Sequence, residues 1–122
     1  MLRNEKGFTL IEIIAVLVIL GILAAVAIPK YISMMDQSRI SAAQGAIAEV
    51  KSRCSGYYAN QLLQGLTPSG ANVLTSLGTP NLGTDFTVAA AASGSDIKIT
   101  VSVVKGVTLT ASVVGTWYYP TT

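Results

Sequence analysis

Residues 13–28 (IIAVLVILGILAAVAI) form a run of sixteen positions without one polar side chain. Extended back to Phe8, the stretch holds 21 residues, about 31 Å as a helix at ~1.5 Å per residue and enough to cross the hydrocarbon core of a bilayer. A chain of 122 residues has room for one compact domain, which excludes a multi-domain enzyme or a polytopic transporter. The apolar excess also marks the composition, which is 51% hydrophobic and only 11% charged, against roughly 25% charged in an average soluble protein.

The remaining composition narrows the function classes. Eight Lys and Arg against six Asp and Glu leave a net charge of +2, scattered along the chain, so the basic stripe of a nucleic-acid binder is missing. There is no His, the commonest general base and metal ligand, and a single Cys cannot form an internal disulfide. No CxxC, GxGxxG, Walker loop or N-x-[ST] sequon occurs. Asp36, Glu49, Asp85 and Asp96 are spaced too widely for an acid/base pair or a calcium loop. The sequence therefore predicts no catalytic residue, no cofactor and no metal site. The five Tyr and one Trp fit core, sheet or interface positions.

Two readings compete for the apolar run. The preceding MLRNEKG, with Arg3 and Lys6, has the character of the n-region of a secretory signal, and Ala25-Val26-Ala27 passes for its small-residue cleavage site. Glu12 opposes that reading. A carboxylate costs on the order of 2.5–3.5 kcal/mol at mid-bilayer depth, and nothing in a disposable signal justifies it. A charge inside a spanning helix is a functional-site candidate unless it merely snorkels to the headgroups.

Lys6-Gly7-Phe8-Thr9-Leu10-Ile11-Glu12, followed by the apolar run and then Pro29, resembles the N-terminus of type IV prepilins and the related pseudopilins. The resemblance covers residues 7–31 closely and the remainder in general character. It implies cleavage between Gly7 and Phe8 by a prepilin peptidase, which also N-methylates Phe8. Residues 1–7 are then a cleaved leader, 8–29 a transmembrane and filament-core helix, and 30–122 the pilin head. Glu12 takes the place of the family's acidic residue, which meets the amino terminus of a neighbouring subunit in the filament. A charge argument agrees: cleavage creates an amine at the positive end of a helix, and Glu12 is the acidic side chain within one turn.

Leu10, Ile11, Gly21 and Pro29 also fall at family positions. Gly21 and Pro29 cost about 1 and about 3 kcal/mol relative to Ala in an ordinary helix, so a kink or local melting is expected between them, giving the segment flexibility on leaving the membrane. The resemblance further implies an inner-membrane assembly platform, a cytoplasmic ATPase and, if the envelope has one, an outer-membrane secretin. The precursor is expected as a single-pass cytoplasmic-membrane protein surrounded by lipid, and the product as a homopolymer in an extracellular pilus or a periplasmic pseudopilus. No nucleic-acid partner is indicated. The motif does not separate a pilus subunit from a pseudopilin or minor pilin of a type II secretion or DNA-uptake machine, and the third reading is a small binding module whose first 27 residues are only a targeting element.

Beyond Pro29, Ile40, Ala43, Ile47, Val50, Cys54 and Tyr57 recur at spacings of three and four, an apolar stripe on an amphipathic helix ending at Gly56 or Gly65. Cys54 lies on the stripe and reads as a small core residue. Many type IV pilins close a disulfide near the C-terminus, and this chain lacks the second Cys. Loop chemistry fills 65–84, with 71–77 a short helix or strand. Period-2 alternation follows: Phe86, Val88 and Ala90; Ile97, Ile99, Val101 and Val103; Val107, Leu109, Ala111 and Val113. The expected fold is α+β, a long N-terminal α-helix, hydrophobic in its first half and amphipathic in its second, packed on an antiparallel β-meander of three to four strands. The fourth would hold 117–119.

Overall fold

The computed structural model describes residues 7–121; residues 1–6 of the expected leader, with Arg3 and Lys6, lie outside them. The elements run α1 (Leu10–Leu63), α2 (Gly70–Leu77), β1 (Phe86–Ser93), β2 (Asp96–Val104) and β3 (Val107–Trp117). Two compact units divide the chain between Asp36 and Gln37, and α1 contributes to both.

In the first unit every described residue is exposed. Its apolar side chains, from Phe8 through Ile28 to Met35, meet nothing that would remove them from water. Helix α1 is long and apolar enough here to cross a membrane. The helix assignment continues without interruption through Gly21 and Pro29. One missing amide and one crowded carbonyl do not end a helix whose flanking turns keep their own hydrogen bonds.

The second unit is an α+β head. From Gln37 onward α1 buries Ala43, Ala46, Ile47, Val50 and Cys54, positions three or four apart and so on one face. They share a core with Val73 and Leu77 of α2, Val88 of β1, Ile97, Ile99, Val101 and Val104 of β2, and Trp117 of β3. Each fully buried Val or Ile contributes roughly 1.5–3 kcal/mol. Helix α1 passes through Gly56 and ends at Leu63, where the amides of Gln64, Gly65 and Leu66 return to the carbonyls of Asn60, Leu62 and Gln61. Residues 70–77 resolve to helix: the Ser69 hydroxyl accepts from the Asn72 amide at 3.1 Å, an N-cap that a strand could not use.

The sheet has three antiparallel strands in the order β1-β2-β3. Trp117 ends β3, and Tyr118 and Tyr119 lie outside any strand, so the described residues hold no fourth strand. One face follows the expected alternation as far as Val101. There Thr87 pairs with Val103 but Val88 pairs with Val101, leaving Ser102 as a bulge. The bulge reverses the phase, so Val104 is fully buried where Val103 was expected. On the other edge Val101 pairs with Val113 and Val103 with Thr108, so residues 109–112 face Ser102 alone. Leu109 and Val113 still pack on the core, whereas Val107 and Ala111 are exposed.

Two close approaches explain two glycines. A Cβ on Gly115 of β3 would collide with Cγ2 of Ile47, so the absent side chain lets α1 settle on the sheet. A Cβ on Gly70 would strike the Ser95 carbonyl, which brings the start of α2 against the β1–β2 turn.

The C-terminal segment is fastened without a disulfide. The Trp117 indole Nε1 donates to Ser55 Oγ at 3.0 Å, the Tyr119 amide to Asp96 Oδ1 at 2.8 Å, and the Tyr119 hydroxyl to the Pro68 carbonyl at 2.7 Å. The rings of Tyr58 and Tyr119 meet edge to face with centroids 5.6 Å apart, and Trp117 closes the cluster. Cys54 sits fully buried in the core, where burial pushes its thiol pKa up and away from the reactive thiolate.

Candidate functional site

The chemistry expected of this chain collects at the start of α1. Residues 7–9 are not helical, and α1 begins at Leu10. Thr9 is the N-cap: its carbonyl accepts the first helical amide, that of Ile13, at 3.2 Å. Its hydroxyl oxygen accepts from the Glu12 amide at 3.3 Å, and the Glu12 carboxylate accepts from the Thr9 amide at 3.0 Å through Oε2. This reciprocal pair is a capping box, which satisfies two amides that the helix end would otherwise leave open. A carboxylate in the first turn also faces the positive end of the helix dipole.

The peptide bond between Gly7 and Phe8 therefore lies outside the helix, two residues ahead of its first turn. Phe8 is 84% exposed, and no heavy atom stands within 4 Å of a Cβ built on Gly7 beyond its chain neighbours. Phe8, Glu12, Ile13, Val16 and Leu17 line one shallow apolar depression. Glu12 is the sole ionisable side chain between residues 7 and 29. Gly7, Phe8 and Glu12 thus fall within a short stretch of chain, whereas Gly21 and Pro29 lie farther along α1, both exposed.

Thr9 is the site residue that the sequence reading missed. Its signal was present, since Thr9-Leu10-Ile11-Glu12 ahead of an apolar run is the T-x-x-E pattern of a helix start. No group of three or more His, Cys, Asp or Glu able to hold a metal ion occurs among the described residues.

Residues 2–28 match the family model of the prokaryotic N-terminal methylation motif. Type II secretion system core protein G of Pseudomonas aeruginosa is 38% identical over 79 residues, 65% of this chain and 56% of that protein. The relatives that it matches are type IV pilins and a type II secretion core protein. Type IV major fimbrial protein FimA of Dichelobacter nodosus is 35% identical over 88 residues, 68% of this chain and 54% of its own length. For type IV major pilin protein PilE of Neisseria gonorrhoeae the match is 39% over 72 residues, 59% of this chain and 43% of the relative. The chain spans about half the length of the curated relatives it matches. No solved structure matches it significantly. The capping box of Thr9 and Glu12 lies within the matched motif.

Proposed function

We propose that this chain is a structural pilin subunit, cut between Gly7 and Phe8, N-methylated on Phe8 and polymerised through its apolar helix into a filament. The observation that carries the reading is the match to the methylation motif over residues 2–28, where every described apolar side chain is exposed and the first helical turn holds a carboxylate, Glu12. A membrane serves the precursor as the cover for residues 10–28, with Arg3 and Lys6 on the cytoplasmic side. Prepilin peptidase removes both charges and leaves an α-amine on Phe8, an unfavourable cation beside a helix N-terminus. Copies stacked in a filament replace lipid by one another's apolar helices. In that packing Glu12 of one copy compensates the Phe8 amine of the next, because an unpaired charge buried there is strongly destabilising. Gly21 and Pro29 are where the helix adapts on leaving the membrane. Assembly platform, ATPase and any secretin are supplied by the cell.

The similarity to type II secretion system core protein G favours a second reading, a pseudopilin that builds a short periplasmic filament. Intact-mass measurement of the mature chain tests the shared claim. Removal of the first seven of 122 residues leaves 115 carrying one methyl group, whereas a targeting element cut after Ala27 leaves 95. The 95-residue product would overturn the pilin reading in both forms. Electron microscopy of sheared surface fractions from a deletion strain and its parent then separates the two: long fibres found only in the parent support the pilus.

A further inference from the structure

We propose that Tyr118 is a docking residue: its ring enters, on a second copy of this chain, the cleft between α1 and β3 of the head. The inference rests on the pilin reading above and adds to it which head surfaces meet. The residues on each side of Tyr118 are anchored. The Trp117 indole donates to Ser55, and Tyr119 donates through its amide to Asp96 and through its hydroxyl to the Pro68 carbonyl. Between them the Tyr118 ring is 74% exposed and makes no ring contact or hydrogen bond among the described residues. Its backbone is thus held before any partner arrives, and a Tyr has only two side-chain torsions to fix, so little freedom is lost on docking. A large aromatic side chain presented in this way is the common anchor of a protein interface.

The same head carries a cleft of about 240 Å³ whose lining includes the apolar Ile47, Ala48, Val113 and Gly115 and the polar Gln44 and Lys51. That is below the roughly 300–1,000 Å³ of small-molecule sites and suits a single inserted side chain. Its lining asks for a ring with a polar tip. Apolar groups cover the ring, the Gln44 amide pairs with a hydroxyl, and the Lys51 ammonium is attracted to an aromatic face. Among the exposed large apolar side chains of residues 37–122, Leu62, Leu63, Leu66, Val107 and Val114 lack such a tip, and Tyr118 has it. Tyr118 is not part of the lining of its own head's cleft. A knob and a hole that sit on one molecule without filling each other make a heterologous contact, which passes from copy to copy and builds an open filament.

The test uses the full-length chain with p-azidophenylalanine in place of Tyr118, isotope-labelled in one copy and co-expressed with wild type so that mixed filaments form. Sheared filaments are irradiated and the linked peptides identified by mass spectrometry. The expected product joins position 118 of one chain to residues 44–51 or 113–115 of another. Filament yield, normalised to processed subunit, should fall about tenfold or more in Tyr118→Ala, the scale of a lost interface anchor, and about fivefold in Tyr118→Phe, the scale of one lost hydrogen bond. Head melting, read by Trp117 fluorescence in micelles, should be the same in both variants and wild type. Filaments whose links are absent, lie within one chain or fall on other residues overturn the proposal. So does Tyr118→Ala assembling at the wild-type level, or losing yield only in step with a lower head melt. Absence of filaments from wild type overturns the pilin reading and the proposal with it.

Discussion

Within α1, the turns up to Asp36 expose every side chain, whereas those from Gln37 onward bury Ala43, Ala46, Ile47, Val50 and Cys54 against a sheet. The more apolar half is the one left uncovered. Hydrophobicity alone therefore does not say what a helix packs on; periodicity does. The second half carries an apolar stripe with polar neighbours and finds its partner in the same chain, while residues 13–28 are apolar all round and have no polar face to turn outward. A helix of that kind needs a surrounding medium, which on the proposed reading is lipid and then identical helices.

The largest effect should come from the junction ahead of the uncovered half. Gly7→Val places a β-branched side chain at the proposed cleavage position, and the uncut 122-residue form should persist in the membrane with surface filaments abolished. An immunoblot with intact-mass analysis reads this directly. Wild-type filament levels from that variant would break the link between the motif and assembly.

The contrast between the halves can be tested with one substitution made twice. Ile99 is fully buried and Ile19 is 57% exposed. Ile99→Ala should cost the head about 2–5 kcal/mol through lost burial and a residual cavity. Ile19→Ala should leave head stability unchanged and act only on insertion or assembly. Trp117, the single Trp and buried in the head, reports head unfolding by fluorescence in the full-length chain held in micelles. Equal destabilisation by both would break the contrast between the two halves.

Much of this division was legible beforehand, because it is written in local patterns. Sixteen uninterrupted apolar residues, a stripe at spacings of three and four, and alternation in 86–113 each specify an element and its buried face. What escaped depends on contacts between distant residues. The phase reversal at Ser102 arises from pairing with two neighbours at once, so Val103 and Val104 cannot be told apart by alternation alone. Gly115 looks like a strand weakness until Ile47 is seen above it. At the site, the charge of Glu12 was conspicuous and the hydroxyl of Thr9 was not, although the two form one motif.

Gly115→Ala probes that unseen contact. The added methyl meets the Ile47 side chain, with Lys51 beside it, and overpacking of this kind costs about 1–3 kcal/mol. The same Trp117 fluorescence should show an earlier melt, and Ile47→Ala should cost less in the Gly115→Ala background than in the wild type, because it removes the Cγ2 methyl that the new Cβ meets. Additive losses in the double variant would show that Gly115 is needed for something other than the approach of α1.

The smallest effect expected is at the C-terminal clasp. Tyr119→Phe deletes only the hydroxyl that donates to the Pro68 carbonyl, leaving the ring against Tyr58 and the hydrogen bond from the residue-119 amide to Asp96 in place. A net loss of about 0.5–1.5 kcal/mol follows from one partly buried hydrogen bond. Tyr119→Ala removes the ring as well and should cost clearly more, because the edge-to-face contacts with Tyr58 and Trp117 go with it. If the two variants melt together, the hydroxyl alone fastens the segment and the aromatic cluster is incidental. If Tyr119→Phe is silent and Tyr119→Ala is not, packing takes the place that a disulfide would hold, and the head owes its closed C-terminus to the same kind of burial that the first half of α1 lacks.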